Sequence, residues 1–187
     1  CVMELPDDAN IDRNLNKLKS KLQGTIPKGR NDFNPEKILE GMTADGGDVV
    51  KVLDSNKLVD DEDFKELFAS QNLDKDLPNE RVLIVTTEKL MERFAHSKKA
   101  SIDGTFRIAP QAWKQVFILE LKVGDKFLPV AFGLLPNKEG KSYDIFFKML
   151  THYLGVNNIS NNLEKIIVDF EAGIHNAIKN SWPNVQL

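Results

Sequence analysis

Two aspartates in this chain are placed where a carboxylate could do chemistry. Asp103 lies inside Ser101-Ile102-Asp103-Gly104-Thr105-Phe106, part of a stretch that reads as a strand over 99–108. Alternation sends Ile102 and Asp103 to opposite faces of that strand. A charge in mid-strand costs free energy unless it is partnered or binds a metal. Gly104 beside it removes a side chain and lets a backbone or a substrate come close. Asp169 follows Ile166-Ile167-Val168 at the carboxyl end of a strand predicted over 164–169, just before a helix. In open α/β sheets that end is where ligands sit. Two carboxylates on neighbouring strands suit a hard divalent cation, because magnesium takes oxygen ligands and commonly one or two carboxylates with substrate phosphates. Glu171, at the start of the following helix, reads as a complement to the helix dipole.

The elements that must position these residues follow from the pattern around them. Residues 81–86 (RVLIVT) form a short apolar strand, and Thr87 can cap a helix running through His96. Residues 115–123 and 126–135 are two further strands joined by Gly124-Asp125, a two-residue hairpin loop, so they are antiparallel. Pro129 cannot donate to a ladder and marks an edge or a bulge. Tyr143, Phe146, Phe147, Leu150 and Leu154 lie at helical spacing, and Ile174, Ala177, Ile178 and Trp182 give a second inward face. The result is a mixed α/β sheet: hairpin-linked strands, a right-handed helical crossover, a returning strand, and helices on the faces of the sheet. The strand at 164–169 is expected to pair directly with the strand of Asp103, on the edge that the hairpin leaves free.

The first 80 residues read differently. Ile11, Leu15, Leu18 and Leu22 make one helical stripe, Asn34-Pro35-Glu36 opens a second helix, and the acidic run 60–63 sits before a third. That run reads as a solvated helix start, since contiguous acids cannot converge on one ion. Residues 1–80 are therefore expected to be a mainly helical, partly flexible region, with a linker at 74–80 before a second module at 81–187. Charge separates the two: 11 Lys/Arg against 18 Asp/Glu in the first, 14 against 10 in the second. Arg13, Lys17 and Lys21 are spaced four apart within a stretch, from Arg13 to Arg30, of six basic residues and no acidic one. The stretch is either a solvated helix face or a phosphate-contacting one, and the three residues are the candidate DNA contacts.

Hydrophobic content of 41% with 28% charged residues is ordinary for a globular protein. No apolar run is long enough for a transmembrane helix, and the N-terminus lacks the basic start and apolar run of a signal peptide. A single cysteine, Cys1, allows no internal disulfide and no cysteine-rich zinc site within these residues. An intracellular setting fits. His96, His152 and His175 are isolated and read as surface or satisfied core residues, and Trp113 and Trp182 as core. The start at Cys1 and the strand-like end at Asn184-Val185-Gln186-Leu187 suggest a fragment of a longer product.

Residues 81–187 resemble the transposases of Mutator-like elements. The matching stretches are Asp103-Gly104-Thr105-Phe106 with Arg107-Ile108-Ala109-Pro110, then Gln115-Val116-Phe117. Leu134-Leu135-Pro136-Asn137-Lys138 follows, with Tyr143 soon after, and then Val168-Asp169-Phe170-Glu171 with Ala172. Ala177-Ile178 with Trp182-Pro183-Asn184 completes the series, Trp standing where the family usually has Phe. The resemblance implies a ribonuclease H-like core, incomplete at its C-terminus, and DNA strand cleavage and transfer by two Asp and one Glu with magnesium or manganese. It also implies DNA, at transposon ends, as the partner, a possible homo-oligomer, no membrane, and a nuclear location. Asp103 and Asp169 carry over as catalytic and metal-binding residues, but the family's third acid lies on a later helix and matches nothing in these residues. Enzymatic activity of this chain is thereby an open matter, and the alternative is a catalytically inactive relic or a domesticated DNA- or protein-binding module. A haloacid dehalogenase-like phosphatase, which shares Asp-Gly-Thr, is disfavoured because Ser101 stands where its nucleophilic Asp would be.

Overall fold

The computed structural model describes residues 50–55, 81–105, 109 and 113–187. Six strands form one mixed sheet: β1 (Val50–Asp54), β2 (Leu83–Thr87), β3 (Lys99–Thr105), β4 (Gln115–Val123), β5 (Lys126–Leu135) and β6 (Lys165–Ile167), in the order β1-β2-β5-β4-β3-β6. The short helix α1 (Glu88–Glu92) runs into a 3-10 turn at Arg93–His96, α2 (Gly140–Val156) joins β5 to β6, and α3 (Ala172–Ser181) follows β6. Thr87 caps α1 as its position suggests, its hydroxyl accepting from the Leu90 N–H at 3.2 Å. No described helix is long and apolar enough to cross a membrane.

The meander β3-β4-β5 is antiparallel throughout. Gly124 turns the β4–β5 hairpin with φ +60°, a conformation that glycine adopts without steric penalty. Pro129 sits at a bulge: Leu119 pairs with Ala131 but Glu120 with Pro129, so Val130 is the extra residue. On the other side of β5 the ladder to β2 ends at Ala131, so Pro129 interrupts no pairing there.

The described helices lie on one face of the sheet rather than two. Tyr143, Phe146, Phe147, Leu150 and Leu154 of α2, and Ile174, Ala177 and Ile178 of α3 with Trp182 after it, join one buried cluster with Ala100, Ile102, Phe117, Leu119 and Ile166 of the sheet. Handedness explains this correction to the two-faced expectation. The crossover from β5 carries the chain past β4 and β3 to β6, and the next carries it onward in the same direction. Gln186 bridges Lys165 in parallel, outside β6. Successive right-handed crossovers in one direction must use the same face. The opposite face carries a smaller cluster of Leu83, Val85, Trp113, Val116, Phe132 and Leu134.

The first 80 residues contribute one strand to the sheet. Their one described segment is not helical: β1 pairs antiparallel with β2 and extends the sheet. β1 carries apolar residues at Val50, Val52 and Leu53 and ends on the buried Asp54. Arg81 fastens it, with Nε donating to Asp54 Oδ1 at 3.1 Å and Nη2 to Oδ2 at 2.6 Å, the Asp54 side chain being 4% exposed. The helices expected in 1–80 lie outside the described residues.

A bidentate pair this buried leaves a costly charge when one member is removed. Asp54→Ala should lower the unfolding free energy by about 3 kcal/mol, and Asp54→Leu combined with Arg81→Met by distinctly less. Urea unfolding of the two variants checks this, and equal losses would contradict the assignment.

Candidate functional site

Asp103 is the fifth residue of β3 and faces away from the helices, since Ala100 and Ile102 on the same strand are buried in the helix-side core. Its side chain is exposed, and Ile118 of β4 stands opposite it. The desolvation cost anticipated from its mid-strand position therefore does not arise, because this face is open to water at Asp103.

β6 pairs with β3 in parallel, Lys99 with Lys165, Ala100 with Ile166 and Ser101 with Ile167. The ladder stops two residues short of Asp169. Val168 still packs on the helix-side core, so the alternation of the strand persists beyond its last pairing. Continued at the same offset, the register sets Asp169 level with Asp103 and on the same face, on strands roughly 4.8 Å apart. Asp169 is exposed, and its carbonyl oxygen accepts from the Glu171 N–H at 2.7 Å and from His175 Nε2 at 3.0 Å. His175 is thus a main-chain anchor of the Asp169 turn rather than an isolated ring. Phe170, between the two acids, is fully exposed.

Glu171 occupies the N-cap position of α3 but makes no capping bond with its side chain. Instead the buried Tyr143 hydroxyl donates to Glu171 Oε1 at 2.8 Å and accepts from Gln115 Nε2 at 3.1 Å. Burial above all, with the neighbouring Glu171 charge, holds the Tyr143 hydroxyl well above its ordinary range, so it stays a neutral donor. Glu120, opposite Ser101 on β4, lies on the Asp103 face. Burial, and after it the charge of Asp103, raises its carboxyl above the usual range. Sequence spacing reveals none of these partners: Tyr143 stands in an apolar stripe and reads as core, and Glu120 reads as an ordinary outward residue of β4.

Among the described residues no group of three or more His, Cys, Asp or Glu is gathered as a metal site. Arg13, Lys17 and Lys21 lie outside the described residues, as do Phe106, Arg107 and Ile108 of the first motif.

The ordered motifs agree with a direct comparison. Residues 100–187 match the MULE transposase domain. The matched stretch holds β3 to β6, α2, α3, both aspartates and the Gln115–Tyr143–Glu171 chain, whereas β1, β2 and α1 precede the MULE transposase match. No curated protein and no solved structure matches the chain significantly.

The raised carboxyl of Glu120 gives a signed pH dependence. An acid whose folded pKa lies above its unfolded value destabilises the fold when ionised. That cost is complete above the folded value, shrinks as pH falls through it, and is gone below the unfolded value. Glu120→Gln should therefore be more stable than the parent at pH 7 and lose that advantage by about pH 4. Thermal unfolding at the two pH values tests it, and an advantage that persists undiminished in acid would refute the assignment.

Proposed function

We propose that residues 100–187 are the front part of a ribonuclease H-like transposase core, in which Asp103 and Asp169 hold a magnesium or manganese ion for DNA strand cleavage and transfer. The reading rests on the in-register parallel pairing of β3 with β6, whose offset, continued two residues past the ladder, would set the two exposed carboxylates on one face of the sheet. The order β5-β4-β3-β6, with Gln186 bridging beyond β6, supports the ribonuclease H-like assignment. The donor set fits the ion: two hard oxygen ligands, open to solvent, leave the remaining positions to water and phosphate. An ion held there would supply activation of a water or hydroxyl and stabilisation of the leaving oxygen in a phosphoryl displacement.

The protein's own part is to hold two oxygen ligands level and accessible. Exposure of Asp103 and Asp169 leaves room for a duplex to approach from the face without helices. DNA is then the partner, with Arg13, Lys17 and Lys21 as phosphate contacts, and the protein works in the nucleus, as a homo-oligomer where both transposon ends are engaged.

Manganese binding tests the metal reading directly. Titration of the 187-residue protein, followed by the electron paramagnetic resonance of free Mn²⁺, should show binding that Asp103→Asn and Asp169→Asn each weaken at least about tenfold, the low end of what even a ligand's supporting hydrogen bond is worth. Binding unchanged in both variants would refute it.

The basic stretch makes a separate expectation. DNA affinity should fall steeply with salt. The Arg13→Ala/Lys17→Ala/Lys21→Ala variant removes three phosphate-neutralising charges, and should flatten the slope of log K against log salt by up to about 2.7. An unchanged slope would make that face merely solvated.

A further inference from the structure

The geometry points to Tyr143, with Gln115 and Glu171 on either side of it, as the positioning device that sets the Asp169 turn against β3, a role that rests on the metal-binding reading of the two aspartates. Tyr143 is fully buried on the sheet side of α2, its ring centroid 5.2 Å from that of Phe117. A phenylalanine would supply the same packing. What the tyrosine adds is a hydroxyl with a partner on each side: Gln115 Nε2 donates to it at 3.1 Å, and it donates to Glu171 Oε1 at 2.8 Å.

The direction of these bonds is forced. An amide nitrogen only donates and an ionised carboxylate only accepts, so the hydroxyl proton must go to Glu171. A hydrogen bond to a carboxylate is also stronger than a neutral one.

The chain of contacts ends on both aspartate segments. Gln115 is buried at the start of β4, and its Oε1 lies 3.3 Å from where a Cβ on Gly104 would stand. Gly104 follows Asp103. A side chain there would crowd the amide that holds Tyr143, which gives the glycine of that motif a physical role. At the other end, Glu171 is two residues past Asp169. The β3–β6 ladder has already ended at Ile167, so no strand pairing restrains Asp169. The Tyr143–Glu171 bond supplies a side-chain restraint from α2, alongside the His175 contact to the Asp169 carbonyl. Tyr143 lies on the helix face and Asp103 on the other, so the tyrosine touches neither metal oxygen nor substrate. It acts through the backbone of the 169–171 turn. The same chain links four stretches that are scattered in sequence yet all lie within the MULE transposase match: the Asp103-Gly104 motif, Gln115, Tyr143 and the Asp169–Glu171 motif.

Two measurements on the full 187-residue protein test this. In metal-free protein, Tyr143→Phe should speed amide hydrogen exchange at residues 169–175 while the β4–β5 ladder keeps its protection. In Mn²⁺ titrations, Tyr143→Phe and Glu171→Ala should each weaken binding about tenfold, as loss of a ligand's supporting hydrogen bond does. Glu171→Gln, whose amide oxygen still accepts from Tyr143, should stay near the parent. Exchange at 169–175 unchanged in Tyr143→Phe would overturn the positioning role whatever the metal result. Glu171→Gln binding as weakly as Asp169→Asn would overturn it too, by making Glu171 a ligand. Failure of Asp103→Asn and Asp169→Asn to alter Mn²⁺ binding would remove the metal reading and with it the role assigned to Tyr143, whereas loss of binding in both with parent-like Tyr143→Phe would overturn the positioning role alone.

Discussion

Parallel pairing of β3 with β6 is the constraint on which the rest of the described structure depends. A strand can be joined in parallel only after a crossover long enough to return the chain to the same end of the sheet. The seventeen residues of α2 provide that return. The β4–β5 hairpin occupies one side of β3 and leaves the other side as the only edge on which β6 can add without breaking the meander. Burial then sets the register, because Ala100 and Ile166, paired with each other, both belong in the helix-side core. A slip of one residue would turn Ile166 outward and Ile167 inward. The offset between β3 and β6, which is also the offset between Asp103 and Asp169, is thus a by-product of where the isoleucine must go.

The two faces of the sheet divide the work. The helix face holds almost all of the described aromatic packing, with Phe117, Phe146 and Phe147 in edge contacts at centroid distances of 5.0 to 6.3 Å, and the polar chain from Gln115 through Tyr143 is closed there on Glu171. The other face is apolar toward β2 and β5 and charged toward β3, where Lys99, Asp103, Glu120 and Lys122 share it and where the charge of Asp103 adds to burial in raising the Glu120 carboxyl. A cation near Asp103 and Glu120 would relieve that repulsion.

Much of this is legible from residue order. The stripe from Tyr143 to Leu154 has a helical period and nothing breaks it. Gly124 marks the hairpin, and once the hairpin is placed the free edge of β3 follows. The one-sided packing of the helices is not legible, because it depends on the direction of two crossovers in succession, and the second ends at Gln186. β1 escapes a linear reading because five residues without a strict period carry little signal among helical stretches, and because its partner Arg81 is 27 positions from Asp54. Chemistry is legible only as far as single residues stand out. Asp103 and Asp169 do. Tyr143 does not, since its hydroxyl acquires meaning only from Gln115 and Glu171, which a linear pattern does not bring near.

The hairpins β3–β4 and β4–β5 join neighbours in the chain, while β6 meets β3 across sixty-six positions, Lys99 against Lys165. Loop closure of that span must precede any reward from the contact, so the meander has a kinetic lead over the parallel edge. Pairing of the parallel edge is thus the stage with the larger closure cost. A chain halted before that stage has a sheet, a hairpin and a core helix in formation, yet no site. Slow closure also leaves the outer edge of β3 unpaired for a time, and an unpaired edge is an opening for another chain to add.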